Sequence, residues 1–146
     1  MYNSDWKYIE RFLGIIIGML VAIIVYFTEF RIIDDTYEIP EKVLEISGII
    51  FGFLFASLAI LIQGGSERID YLIRERKHLF KRIINYNELV VLLSLFVAIF
   101  SLLIIVFKWS DIILFDSIYA GIVSTMFFYT IIFLMIFYSA IKDNTN

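Results

Sequence analysis

The sequence predicts an all-α protein, a polytopic bundle of four transmembrane helices with a short cytoplasmic amphipathic helix between the second and third. Three observations carry that expectation. Hydrophobic residues make up 61% of the 146 positions against 18% charged, and mean hydropathy is +0.88, more than a soluble domain of this length can bury. Four apolar runs are long enough to cross a bilayer. Lys and Arg gather in segments that fall on one predicted side.

The first run, about 12–30, follows Lys7 and Arg11 and lacks a small-residue cleavage site after a short apolar core, so it reads as a retained span. A run of this length rises ~29 Å at ~1.5 Å per residue, matching a hydrocarbon core of ~30 Å. An acidic connection follows, and Pro40 suits the first turn of the next helix because its missing N–H is unpaired there anyway. The second helix is therefore expected to start at Pro40 or Glu41, with its span at about 43–62.

Residues 63–88 carry the main basic cluster, Arg68, Arg74, Arg76, Lys77, Lys81 and Arg82. Ile69, Leu72, Ile73, Phe80, Ile83 and Ile84 recur at helical spacing there, which predicts an amphipathic helix over 68–86 lying on anionic lipid, hinged at Gly64 and Gly65. His78 lies inside it. The third span is expected at about 89–107. The fourth apolar run includes Asp116 and is too long for one upright span, so the helix is expected near 117–141, with 109–115 as an interfacial approach.

Nine of the twelve Lys and Arg fall on the side of the termini and the 63–88 segment, and Arg31, Lys42 and Lys108 on the other. The positive-inside rule then puts both termini in the cytoplasm. The whole chain, 1–146, reads as one membrane domain. Trp6, Trp109, Tyr2, Tyr8, Tyr26 and Tyr119 lie near predicted span ends, as amphipathic rings do at headgroup level.

Several chemistries are not expected. Cysteine is absent and His78 is the one histidine, which leaves no thiolate chemistry and no histidine metal cluster. No phosphate loop, paired catalytic acids or nucleic-acid motif is visible, so neither an enzyme, a cofactor nor a nucleic-acid partner is expected. The predicted span centres carry no charge, which disfavours a proton-coupled transporter.

Small residues recur every four positions on three helices: Gly14, Gly18 and Ala22; Gly48, Gly52 and Ala56; Ser117, Gly121 and Thr125. Such faces admit close helix approach. They serve either an interface between copies or packing inside one chain, and a hairpin of the first two helices is the expected form of the second. Ser94 and Ser101, and Ser117 and Ser124, lie seven apart and share faces. Together with Thr125 they are candidate pore-lining residues, the alternative being bonds to nearby carbonyls. Asp34, Asp35, Glu38, Glu41 and Glu45 would form an acidic outer mouth if copies surround an axis; alone they are a solvated loop. Arg68, Arg74, Lys77, Lys81 and Arg82 offer a surface for anionic lipid or for a cytoplasmic protein partner.

Four spans with both ends inside, and the stretch 48–62 followed by the basic run 68–82 and a span from Leu89, resemble the small four-span membrane effectors of bacterial antiphage systems, with a RexB-like phage-exclusion layout. The resemblance implies an inner-membrane protein that depolarises or permeabilises the cell when a partner senses infection; it carries over no functional residue. The function expected from the sequence is an oligomeric channel or membrane-permeabilising effector, with a non-conducting anchor that recruits a cytoplasmic partner through 68–86 as the alternative.

Overall fold

A computed structural model describes residues 4–63, 74, 77–109 and 112–142. These residues are helical apart from short connections, in four helices: α1 (Ser4–Thr28), α2 (Glu38–Gln63), α3 (Lys77–Phe107) and α4 (Ile113–Lys142). Three of them contain stretches long and apolar enough to cross a membrane, Glu38–Ile60, Lys77–Phe107 and Ile113–Ser139; the described apolar stretch of α1, Phe12–Thr28, is shorter.

The helix ends follow from local backbone chemistry. α1 and α3 close alike: Glu29 and Lys108 adopt φ of 51° and 50°, and the next amides, Phe30 and Trp109, donate to the carbonyls of Val25 and Ile104 at 3.3 and 3.2 Å. This is the left-handed closure that glycine usually provides. α2 begins at Glu38, two residues before Pro40, which sits in the first turn as its missing N–H allows. Glu38 and Glu41 in that turn face the positive end of the helix dipole.

Besides the start of α2 at Glu38 rather than at Pro40 or Glu41, two boundaries differ from the sequence expectation. α3 is one helix from Lys77, so residues 77–86 of the expected amphipathic helix belong to the third helix; its earlier part, 68–76 apart from Arg74, lies outside the described residues. Ile83, expected on the apolar face of a surface helix, is instead buried in a cluster with Leu54, Val90, Tyr129 and Phe133, and Phe80 packs against it. α4 begins at Ile113, four residues before the expected start, where the Ile112 carbonyl accepts the amides of Phe115 and Asp116 at 2.8 and 3.3 Å.

The packing order is not the chain order. α1 packs along α4, α4 on α3, and α3 along α2. The expected hairpin of α1 and α2 is therefore corrected: α1 takes α4 as its antiparallel neighbour, with Gly14 beside Tyr129, Gly18 beside Thr125 and Gly121, and Ala22 beside Gly121. Residues 29–37 cross from α1 to α2 at one end of the bundle and form a strap there. Beneath the strap lies a cluster of Ile33, Val43, Val97, Ile104, Tyr119 and Met126, and the Leu54–Phe133 cluster fills the opposite half. Large apolar side chains cover the outside, among them Phe12, Met19, Ile49, Phe55, Leu92 and Met135, the distribution a bundle shows when lipid replaces water around it.

Candidate functional site

Two small-residue faces that read alike in the sequence have different surroundings. On α1, Gly14 and Gly18 are buried. A β-carbon on Gly14 would stand 2.5 Å from Tyr129 Cζ, and one on Gly18 would meet Thr125 Oγ1 and the Gly121 carbonyl. Thr125 Oγ1 donates to its own helix at the Gly121 carbonyl (2.8 Å) and reaches the Gly14 carbonyl at 3.3 Å. The stripe on α1 and that of Gly121 and Thr125 on α4 are thus spent on each other, which is the close approach that small residues permit.

On α2 the same pattern points away from the chain. Gly48, Gly52 and Ala56 are exposed, and a β-carbon on either glycine would have nothing within 4 Å among the described residues. α2 packs on α3 through its other side, where Val43, Ser47 and Leu54 are buried. A glycine inside a helix costs about 0.8–1.0 kcal/mol relative to alanine. On α1 close contact offsets that cost; on α2 no contact among the described residues does.

Of the hydroxyl residues, Ser101 makes a contact across the seam between α3 and α4, and Ser94 and Ser117 bond within their own helices. Ser94 and Ser101 are fully buried, and Ser117 nearly so. Ser94 Oγ donates to the Val91 carbonyl (2.9 Å), Ser101 Oγ to Val97 (2.8 Å) and Ser117 Oγ to Ile113 (2.8 Å). Ser101 Oγ and Tyr119 Oη lie 2.7 Å apart across the seam. Since Ser101 gives its proton to Val97, the tyrosine is the donor in that pair. Ser124 is half-buried. Within one chain these hydroxyls are bonded to nearby carbonyls and, for Ser101, to Tyr119. Tyr119, expected at headgroup level, is 1% exposed and belongs to this seam.

The acidic residues collect at the strap end. Asp34, Asp35, Glu38, Glu41 and Glu45 are all exposed, on the strap and the first turns of α2. Asp34 Oδ1 accepts from the Thr36 hydroxyl (2.7 Å), the Tyr37 amide (3.1 Å) and the Thr36 amide (3.2 Å). These bonds, the hydroxyl above all, hold the Asp34 carboxyl below its ordinary value. Glu45 pairs with Lys42 at 3.0 Å.

The basic residues lie toward the other end. Arg74, Lys77 and Lys81 are exposed, while Arg82 is half-buried with its guanidinium 5.9 Å from the Tyr86 ring centroid. Arg68, Arg76 and the Gly64–Gly65 hinge lie outside the described residues. No group of three or more His, Asp or Glu comes together to hold a metal among the described residues.

Sequence reasoning missed the burial of Ser47, Asn87 and Asp116. Asn87 is fully buried and its Nδ2 donates to the Leu54 carbonyl at 3.1 Å, tying α3 to α2. Asp116, read from the sequence only as a boundary marker, is buried and accepts the Ile33 amide at 2.9 Å. The available signal was that each is a polar residue in or beside a long apolar run.

Compared with known proteins, the chain matches no family model, no curated protein and no solved structure.

Proposed function

We propose that this chain is a four-span integral protein of a bacterial inner membrane, with both termini cytoplasmic and the strap outside. It assembles with copies of itself through the open face of α2 and, assembled, permeabilises the membrane as antiphage effectors of this layout do. The observation that carries the reading is the contrast between the two glycine stripes: the α1 stripe is filled by α4, and a β-carbon on Gly48 or Gly52 of α2 would meet nothing within 4 Å among the described residues. In lipid, helices associate by close packing, and a face of glycine and alanine is suited to another helix. A conducting path in this reading runs between copies, because the buried hydroxyls of a single chain are already bonded within it. The exposed acids of the strap end then surround the outer mouth, where rings of negative charge favour cations.

The bonded hydroxyls also favour a second reading, a non-conducting anchor that presents its basic end, with Arg74, Lys77 and Lys81, to a cytoplasmic partner. One preparation separates the two. The mass of the purified protein in nanodiscs is measured, followed by ion flux in liposomes. A stable oligomer with flux supports the channel. A monomer without flux overturns it and moves the function to the basic surface, where reversing the three charges should abolish partner recruitment.

A further inference from the structure

The strap is held to the bundle by Ile33, its buried residue, with Ile32 and Tyr37 packed against the same cluster. Ile33 is buried in one cluster with Val97, Ile104, Tyr119 and Met126, and its amide donates to Asp116 Oδ1 at 2.9 Å. Asp116, in the first turn of α4, is 1% exposed, and its Oδ2 has no hydrogen-bond partner among the described residues. Arg31, on the exposed side of the strap, is the cation whose field reaches it. A buried carboxyl group provided with one donor is held less securely than a fully bonded one, because the second oxygen has given up water for nothing.

The position of this bond matters because of the packing order. α1 with α4 and α2 with α3 form two extensive pairs, and the seam of α3 with α4 that joins them is the smallest of the three interfaces. α1 and α2 are joined by the strap and do not form a packed pair. The strap therefore ties one helix pair to the other, and its attachment point lies at the strap end of the joining seam, one turn from Tyr119.

We propose that Asp116 is a latch: by holding Ile33 it keeps the strap across the α3·α4 seam, and surrender of that bond lets the two helix pairs move apart along the seam. The latch is a property of one chain and stands whether or not the protein conducts.

The absence of cysteine allows the test by spin-label distances in the full chain in nanodiscs. One pair of labels at Ile24 on α1 and Ile46 on α2, both exposed, reports the separation of the helix pairs. A second pair at Met19 and Phe127, also exposed, reports α1 against α4. In Asp116→Ala the first distance is expected to broaden and lengthen by several ångströms while the second stays fixed. Asp116→Asn keeps an oxygen for the Ile33 amide and is expected to match the parent at both. An unchanged first distance in Asp116→Ala overturns the latch. So does an equal shift in both variants, or a shift of the second pair, which would make Asp116 a general requirement of the fold. Flux is measured separately, so failure of the channel reading does not pass for failure of the latch.

Discussion

Gly18 and Gly121 meet backbone to backbone: a β-carbon on Gly18 would stand 2.7 Å from the Gly121 carbonyl oxygen, and one on Gly121 would stand 2.8 Å from the carbonyl oxygen of Gly18. The obstruction is main chain on both sides, so neither helix can give way by turning a side chain. Overpacking of this kind costs about 1–3 kcal/mol. Gly18→Ala and Gly121→Ala are each expected to lower stability by about that amount, measured by denaturant unfolding in micelles. Stability equal to the parent in both would mean that α1 does not sit on α4 at this distance.

Gly52→Leu is expected to leave the fold of one chain intact, because the space beside that glycine is open. In the proposed assembly the same leucine stands between copies. The expected outcome is a parent-like unfolding midpoint, a fall in oligomer mass and a loss of flux. A variant that keeps its mass and its flux would remove this face of α2 from the interface. Comparison with Gly18→Ala separates assembly from folding, since both changes enlarge a glycine of the same sequence pattern.

How far the sequence could be read depended on the range of the physics involved. The apolar runs are local, and each became a helix because a long uncharged stretch carries its own period and length. The small-residue stripes were equally visible, but which of them meet is decided by helix order. Gly14–Gly18 and Gly48–Gly52 are indistinguishable by spacing, and only the pairing of α1 with α4 sends one inward and leaves the other open. Ser101 and Tyr119 belong to helices whose mutual rotation the sequence does not encode locally, so a tyrosine near a span end read as a headgroup residue when it is a seam donor. Asp116 finds Ile33 at a separation of 83 residues, beyond any periodic signal.

The Ser101–Tyr119 pair allows a coupling measurement. Interhelical hydrogen bonds between membrane helices average about 0.6 kcal/mol in double-mutant cycles. Tyr119→Phe, Ser101→Ala and the double variant are expected to give a coupling of about that size, favourable to the pair. A coupling indistinguishable from zero would show that the 2.7 Å contact adds nothing to helix association beyond packing.

Asn87 donates to the Leu54 carbonyl, yet its own Oδ1 is buried without a hydrogen-bond partner among the described residues. One bond gained against one acceptor stranded leaves a small balance. A leucine, with the same branching, removes both, and the Leu54 carbonyl keeps its partner inside α2, so the exchange is close to neutral in hydrogen bonding. Asn87→Leu is therefore expected to change stability by less than about 1 kcal/mol. A loss well beyond that would assign Asn87 a larger part in joining α2 to α3 than its one bond explains.

The Asp34 turn should respond to acid in a defined direction. Its carboxylate accepts from the Thr36 hydroxyl and from the Tyr37 and Thr36 amides, and the folded value lies below the ordinary 3.8. Unfolded chain therefore takes up the proton first as pH falls. The charged carboxylate thus stabilises the turn at every pH above 3.8, and that contribution is lost as pH falls through the lower folded value. Hydrogen exchange at the Thr36 and Tyr37 amides is expected to stay slow through the ordinary aspartate range and to quicken only at lower pH. In Asp34→Asn, which cannot titrate, protection should be weaker at neutral pH and should not change across that window. An acid response retained in Asp34→Asn would assign the titration to another group, with Asp35, Glu38 and Glu41 on the same exposed surface as the next to test.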